Sequence, residues 1–185
     1  MEIGLALFDV IFKPGAALRR ISRNKPVSSA ILVFLLVSFM VSLTPFLAGD
    51  MIQTNPLLAV ILSFSASMFR LVGVLIASLF LFLVSRFFRG RGSLLGVFSA
   101  LGFAHFVFIL LPLVEFIGVM QGGLEFFVIW FRYIIFIWFA LLFVLSVRES
   151  QGFTTLRALI TIAATFLLVV ILSGFVGFSF LALLM

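Results

Sequence analysis

The sequence predicts an all-α membrane protein, a bundle of five transmembrane helices preceded by a short interfacial amphipathic helix. The chain is 65% hydrophobic and only 10% charged, whereas soluble domains are about half apolar and a quarter charged. Stretches such as residues 31–41 and 71–84 are almost continuously apolar, without the alternating pattern of a transmembrane β-strand. Helices are then the structure in which all backbone N–H and C=O groups are hydrogen-bonded within the lipid.

Residues 1–26 form a basic, amphipathic segment ahead of the first apolar run. Pro14 suits the first turn of a helix, where its missing N–H costs nothing, and Asn24-Lys25-Pro26 is expected to end that helix. Such a helix lies in the membrane interface with its cations toward lipid phosphates. We therefore predict a cytoplasmic helix, whose candidate lipid-headgroup contacts are Lys13, Arg19, Arg20, Arg23 and Lys25.

Five apolar segments follow and make up the predicted transmembrane domain, residues 27–185. Crossing ~30 Å of hydrocarbon takes about 20 helical residues. The second span exceeds that length and is expected to tilt or to extend past the bilayer surface, and the third is expected to break or kink at Pro112. The predicted spans are residues 27–47, 57–85, 94–118, 126–147 and 157–184.

The distribution of lysine and arginine predicts the orientation of the bundle. Ten of these twelve residues lie in the N-terminal segment and in the links 86–93 and 148–157. An odd number of spans puts those three segments on the same side, and short loops rich in lysine and arginine face the cytoplasm. We therefore expect a cytoplasmic N-terminus, an external C-terminus, and anionic lipids of the cytoplasmic leaflet as partners.

Charged residues and histidine are rare inside the predicted spans, where they are costly and are candidates for a functional site. Arg70 and His105 lie at comparable depth. They either share a polar cavity, as a proton or anion site, or make structural hydrogen bonds with Ser63, Ser67 or a backbone carbonyl. The full candidate intramembrane polar site is Arg70, His105, Glu115 and Arg132.

Glu115 and Arg132 both lie in the outer halves of their predicted spans. Isolated charges at depth are expensive, so we predict an ion pair between them. Arg70 is the alternative partner for Glu115.

Small residues recur where helices are expected to pack closely. The positions are Gly73 and Ala77, Gly92 and Gly96, and then Ser99, Ala100 and Gly102. Small side chains at such spacing let helix backbones approach one another in membranes.

The sequence carries no recognisable catalytic signature. It has one histidine and no cysteine, and it contains no His-Glu-x-x-His zinc motif, no Gly-x-Ser-x-Gly elbow and no phosphate-binding loop. We therefore expect a non-enzymatic protein and assign no catalytic, cofactor-binding or metal-binding residue. No nucleic-acid partner is expected either.

Three stretches resemble the Yip1 domain family, particularly its small prokaryotic members. The first is Phe12-Lys13-Pro14 with Ile21 and Lys25-Pro26, and the second is Gly92-Ser93 leading into Phe98-Ser99-Ala100-Leu101-Gly102-Phe103-Ala104. The third is Trp138, followed by Gln151-Gly152-Phe153-Thr154-Thr155 and Leu156-Arg157-Ala158-Leu159. The resemblance implies five spans, a cytoplasmic N-terminus and a prokaryotic cell membrane.

The resemblance does not imply a particular protein partner. Eukaryotic relatives are trafficking proteins associated with Rab GTPases and carry a longer cytosolic N-terminal region. Only a short segment precedes the first predicted span here, and the acidic and tyrosine-rich signatures of those relatives are missing, so no Rab partner is expected.

Two functional hypotheses follow from these patterns. The first, which the resemblance favours, is a protein that organises lipid or partner proteins in the membrane. The alternative is a small oligomeric transporter or channel with a polar path through Arg70, His105 and Glu115. Convergence of these three side chains on one cavity would favour the alternative.

Overall fold

The computed structural model describes residues 3–48, 55–121 and 125–184, which form helices joined by short links. The five predicted spans are confirmed as helices long and apolar enough to cross a membrane: Val27–Phe46, Pro56–Phe87, Leu94–Gly118, Phe126–Gln151 and Thr155–Gly174. The helices are α1 (Ile3–Phe12), α2 (Pro14–Asn24), α3 (Val27–Ala48), α4 (Pro56–Phe87), α5 (Leu94–Ala104), a 3-10 segment (His105–Ile109), α6 (Leu110–Gln121), α7 (Glu125–Gln151) and α8 (Thr155–Leu184).

The N-terminal segment consists of two helices, and the second is the one predicted from its sequence. Pro14 stands in the first turn of α2, and Lys25 ends the helix in a left-handed conformation (φ 51) with its amide bonded to the Ile21 carbonyl. The residue before a proline is disfavoured in a helix, which separates α1 from α2 at Lys13. An ion pair from Arg20 to Asp9, at 2.6 Å, joins the two helices.

The apolar face of α2 packs on the bundle itself. Ala17, Leu18 and Ile21 are buried and belong to the main hydrophobic core, together with residues of α3, α5 and α7. The cations of the helix remain exposed on its opposite face. Protein packing therefore fixes the position of α2 relative to the spans.

Helix α5 is the centre of the bundle. Every residue from Gly96 to Ala104 is buried, and α2, α3, α4 and α7 all contact this helix. A methyl group added at Gly102 would lie 3.0 Å from the Cβ atom of Ala30, and one at Gly96 would lie 2.8 Å from the Ser22 carbonyl oxygen. The predicted close packing thus occurs at these two glycines and at Gly92, which lies against the Ser150 carbonyl, but not at Gly73, where an added methyl group would meet no atom of another segment within 4 Å.

The third span is broken before Pro112 and not at it. The 3-10 segment His105–Ile109 separates α5 from α6, and Pro112 lies inside α6. A proline ring clashes with the carbonyl four residues earlier, here that of Phe108, and a tighter 3-10 turn on that side relieves the clash. The observed break therefore lies about one helical turn before the predicted position.

Helix α7 continues to Gln151, past its predicted end at residue 147. Gly152 follows in the left-handed conformation (φ 68), and the Phe153 amide donates to the Arg148 carbonyl at 2.9 Å. A left-handed glycine is a common way to end a helix. The polar residues 148–151 thus form the last turn of α7 at one end of the bundle.

Gly96→Ala is expected to destabilise the bundle, because its methyl group would meet the Ser22 carbonyl oxygen. Overpacking of this kind costs about 1–3 kcal/mol. Gly73→Ala is the matched control, since it adds the same methyl group where no heavy atom lies within 4 Å. Thermal unfolding of the full chain in detergent micelles measures both changes. An unchanged unfolding midpoint for Gly96→Ala would contradict the close packing of α2 on α5.

Candidate functional site

One end of the bundle, termed the basic end, gathers ten of the twelve lysines and arginines. It consists of α2 with the start of α3, the end of α4, the start of α5, the end of α7 and the start of α8. Contacts between these elements hold it together, including that of Gly96 with Ser22 and that of Gly92 with Ser150. All five candidate lipid-headgroup contacts, Lys13, Arg19, Arg20, Arg23 and Lys25, are exposed there.

Glu149 connects α2 to the end of α7 at the basic end. Its Oε2 atom accepts a hydrogen bond from Arg19 Nε at 2.7 Å, and its Oε1 atom accepts one from Arg148 Nη2 at 2.7 Å. The hydrogen bond to Glu149, followed by the attraction of its charge, raises the pKa of the Arg19 guanidinium. Both carboxylate oxygens are therefore occupied, and the negative charge is compensated within the protein.

Gln151 joins the basic link after α4 to the end of α7. Its Oε1 atom accepts from the Gly92 amide at 3.1 Å, and its backbone carbonyl accepts from the Arg91 amide at 3.1 Å. The residue is only 2% exposed, and its Nε2 donor has no hydrogen-bond partner. No local pattern in the sequence indicates this role of Gln151, because the contact with Gly92 spans 59 residues.

A cleft of about 470 Å³ opens at the basic end between α2, the start of α5 and the end of α7. Its polar lining includes the cations Arg23, Lys25 and Arg91, together with Ser93 and Gln151. The sequence predicted cations on this side of the membrane, but it gave no signal that three segments would enclose a cleft.

Arg70 and His105 line one cavity of about 490 Å³ between the spans. Arg70 donates to Ser42 Oγ at 2.9 Å and reaches the Ser38 carbonyl at 3.4 Å. Of the predicted structural partners, Ser63, Ser67 or a backbone carbonyl, Arg70 contacts a carbonyl, that of Ser38 on α3. The hydroxyl of Ser67 donates to the Ser63 carbonyl instead.

His105 stands at the start of the 3-10 segment and is enclosed by aromatic rings. Its Nδ1 atom lies 3.0 Å from the Leu101 carbonyl oxygen, and because a carbonyl can only accept, Nδ1 carries the proton of that bond. The ring packs edge-on against Phe34 and Phe139, with centroids 4.7 and 4.8 Å away. The histidine therefore makes the backbone hydrogen bond of the structural hypothesis while it also lines the shared cavity.

Glu115 and Arg132 form the predicted ion pair. They line a separate cavity of about 320 Å³, to which Val41 and Leu111 also contribute. Those two apolar residues line the Arg70 cavity as well, so the cavities are neighbours. The structure thus brings Arg70 and His105 together, pairs Glu115 with Arg132, and does not place all four in one site.

A model of the Yip1 domain matches residues 8–178, nearly the whole chain. The chain belongs to the Yip1 domain family. This Yip1 domain includes the basic end, the broken third span and both intramembrane cavities, since all of them lie within the matched residues. Searches among curated proteins and solved structures found no significant match.

The described residues of this Yip1 domain contain no group of three or more histidine, cysteine, aspartate or glutamate side chains that could hold a metal ion. Its polar side chains instead meet in the basic-end cleft and in the two intramembrane cavities. The chemistry that this arrangement supports is the binding of anions by arginine and lysine.

Removing one partner of the Glu115–Arg132 pair is expected to destabilise the protein, because the other charge would be left uncompensated beside lipid. Glu115→Gln and Arg132→Gln should each lower the unfolding midpoint, and the double variant should recover part of the loss. The coupling free energy should be about 0.5–3 kcal/mol. Thermal unfolding of all four proteins in micelles measures it, and strictly additive losses would refute a coupled pair.

Proposed function

We propose that this Yip1-domain protein is a non-enzymatic protein that organises anionic lipid at the cytoplasmic face of the membrane. The observation that carries the proposal is the basic end, where ten of the twelve lysines and arginines are gathered. The excess of such residues in short loops favours a cytoplasmic position for this end. The cytoplasmic leaflet is also where anionic lipids create a negative surface potential.

The cations of the basic end outnumber its acidic residues. The described acids there, Asp9 and Glu149, are already paired with arginines of the protein. Several exposed cations have no carboxylate within 4 Å among the residues described, and three of them that lie on different segments are Lys13, Arg89 and Arg157. Each such charge near an anionic surface contributes about 1 kcal/mol of attraction.

The docking of α2 determines how these charges act on lipid. Leu18 and Ile21 are fully buried in the bundle, so the arginines on the opposite face are held at fixed positions relative to the spans. A flexible basic tail would attract anionic lipid without arranging it. A folded basic end can impose its own spacing on the headgroups around it.

The triple variant Lys13→Gln, Arg89→Gln, Arg157→Gln is expected to reduce the preference of the protein for anionic lipid. Electron paramagnetic resonance with spin-labelled phosphatidylglycerol and phosphatidylcholine measures that preference in proteoliposomes. We expect enrichment of phosphatidylglycerol around the wild type, lowered at least about fivefold in the variant, because even one such charge contributes about 1 kcal/mol.

The charge-retaining variant Lys13→Arg, Arg89→Lys, Arg157→Lys is the matched control and should keep the enrichment. High salt should weaken the preference of the wild type, because exposed charges are screened. Equal association of both labelled lipids with the wild type at low salt would contradict the proposal.

A second candidate function is transport of protons or small anions. The cavity shared by Arg70 and His105 favours it, together with the helix break His105–Ile109 beside that cavity. Interrupted helices near the midplane are common at the binding sites of transporters. Arg70 has no carboxylate within 4 Å in the described ranges, so its charge is available to an anion.

A flux assay in proteoliposomes tests the second candidate. Transport through the cavity requires flux of protons or small anions by the wild type, and its loss in folded Arg70→Ala and His105→Ala variants. Arg70→Lys retains the charge and should retain part of an anion flux. Flux no greater than that of empty liposomes, under several gradients, would reject this candidate for the ions tested.

A further inference from the structure

The basic-end cleft has the features of a site built for a particular anion. It lies where the end of α2, the link before α5 and the last turn of α7 meet, and its volume is about 470 Å³. Gln151 holds two of these segments together through the amides of Arg91 and Gly92. Two of the three segments that line the cleft are therefore held together by hydrogen bonds to a single buried glutamine.

The cleft is positively charged. Arg23, Lys25 and Arg91 line it, and none of them has a carboxylate within 4 Å among the residues that the structure describes. The acidic residue of the lining, Glu149, has both oxygens engaged by Arg19 and Arg148. The charge available to a ligand is thus that of the three cations.

Gln151 supplies a buried donor that nothing in the described protein satisfies. The residue is 98% buried, being 2% exposed, and its Oε1 atom is bound by the Gly92 amide. Its Nε2 atom has no partner, although an unsatisfied buried donor costs about 1–3 kcal/mol. Gln151 lines the cleft, and a small movement of its side chain that brings Nε2 to an acceptor bound there would remove this cost.

The start of α5 adds a further donor to the same cleft. Ser93 caps the helix by accepting from the Gly96 amide, and its own hydroxyl proton remains available. The residues of this region that line the cleft are Arg91, Gly92 and Ser93. A hydroxyl beside cationic side chains suits an anion with several acceptor oxygens, such as a phosphate group.

We propose that the basic-end cleft binds a phosphomonoester group, either the headgroup of an anionic lipid or a soluble phosphate. A phosphomonoester carries close to two negative charges and three terminal oxygens at neutral pH, which matches three cations, an amide donor and a hydroxyl. Where the ligand is a lipid, this inference rests on the proposed function. It differs from that function in requiring a saturable site that distinguishes a monoester from a diester.

The test is calorimetric titration of the full chain in neutral detergent micelles with short-chain phosphatidic acid, a phosphomonoester, and with short-chain phosphatidylglycerol, a diester. Gln151→Glu keeps an acceptor for the Gly92 amide but replaces the free donor with a negative charge. Arg91→Ala removes a lining cation and leaves Gln151 in place. Arg89→Ala is the matched control, because it removes an exposed arginine of the same link that does not line the cleft.

Saturable binding of phosphatidic acid, tighter than that of phosphatidylglycerol, is expected for the wild type. Gln151→Glu and Arg91→Ala should each weaken it about tenfold, since each removes a strong hydrogen bond to a charged group. Arg89→Ala should stay within about twofold of the wild type, because neutral micelles present no anionic surface on which an exposed charge outside the cleft could act. Unfolding curves identify any variant that does not fold, and Arg91→Ala decides the outcome if Gln151→Glu fails.

Inorganic phosphate separates the two sources of the ligand. Competition by phosphate would assign the cleft to soluble phosphates as well, and binding of phosphatidic acid without competition would assign it to the lipid. Equal binding of both lipids, unaffected by either cleft variant, would overturn the site and leave general attraction of anionic lipid intact. Cleft binding without enrichment of phosphatidylglycerol around the protein would instead count against the proposed function alone.

Discussion

The close approach of backbones around α5 is the constraint on which the rest of the structure depends. Glycines at positions 96 and 102 let α2 and α3 lie directly against this helix. Because lipid tails are as apolar as the side chains, such contact is a main source of helix association in a membrane. The position of α2, and with it the position of the cations, follows from that packing.

Polar groups inside the bundle are placed where helix packing leaves gaps. A methyl group added at Gly73 would meet no atom of another segment within 4 Å, and this glycine lines the same cavity as Arg70. The carbonyl of Leu101 accepts a hydrogen bond from His105 Nδ1, just before the helix tightens into the 3-10 segment. The cavity and the break in the third span therefore have a common origin, in that regular packing stops at the same level of the bundle.

The sequence predicted those features that a local rule determines. Pro14 specified the start of α2, long apolar runs specified five spans, and the cost of an isolated charge specified the pair of Glu115 with Arg132. The partners of Arg70 could not be predicted in the same way. Whether an arginine reaches serines of its own helix or those of α3 depends on the rotation of both helices, which composition does not encode.

The role of Gln151 was hidden for a related reason. Its contact with the Gly92 amide joins residues 59 apart. No local pattern distinguishes a glutamine that is buried and hydrogen-bonded to another segment from one that is exposed to solvent. The break of the third span was misplaced by a smaller amount. A proline disturbs the helix at the residues that precede it. The break therefore lies in the turn before Pro112 and not at the proline itself.

The length of α4 has a consequence for where such a protein can reside. Its 32 residues extend over about 48 Å at a rise of about 1.5 Å per residue, well beyond a hydrocarbon thickness of ~30 Å. Tilting, together with an extension of the helix past the bilayer surface, accommodates the excess. A thicker bilayer would require less of either, so the free energy of this helix in a membrane depends on bilayer thickness, by fractions of a kcal/mol per Å of mismatch.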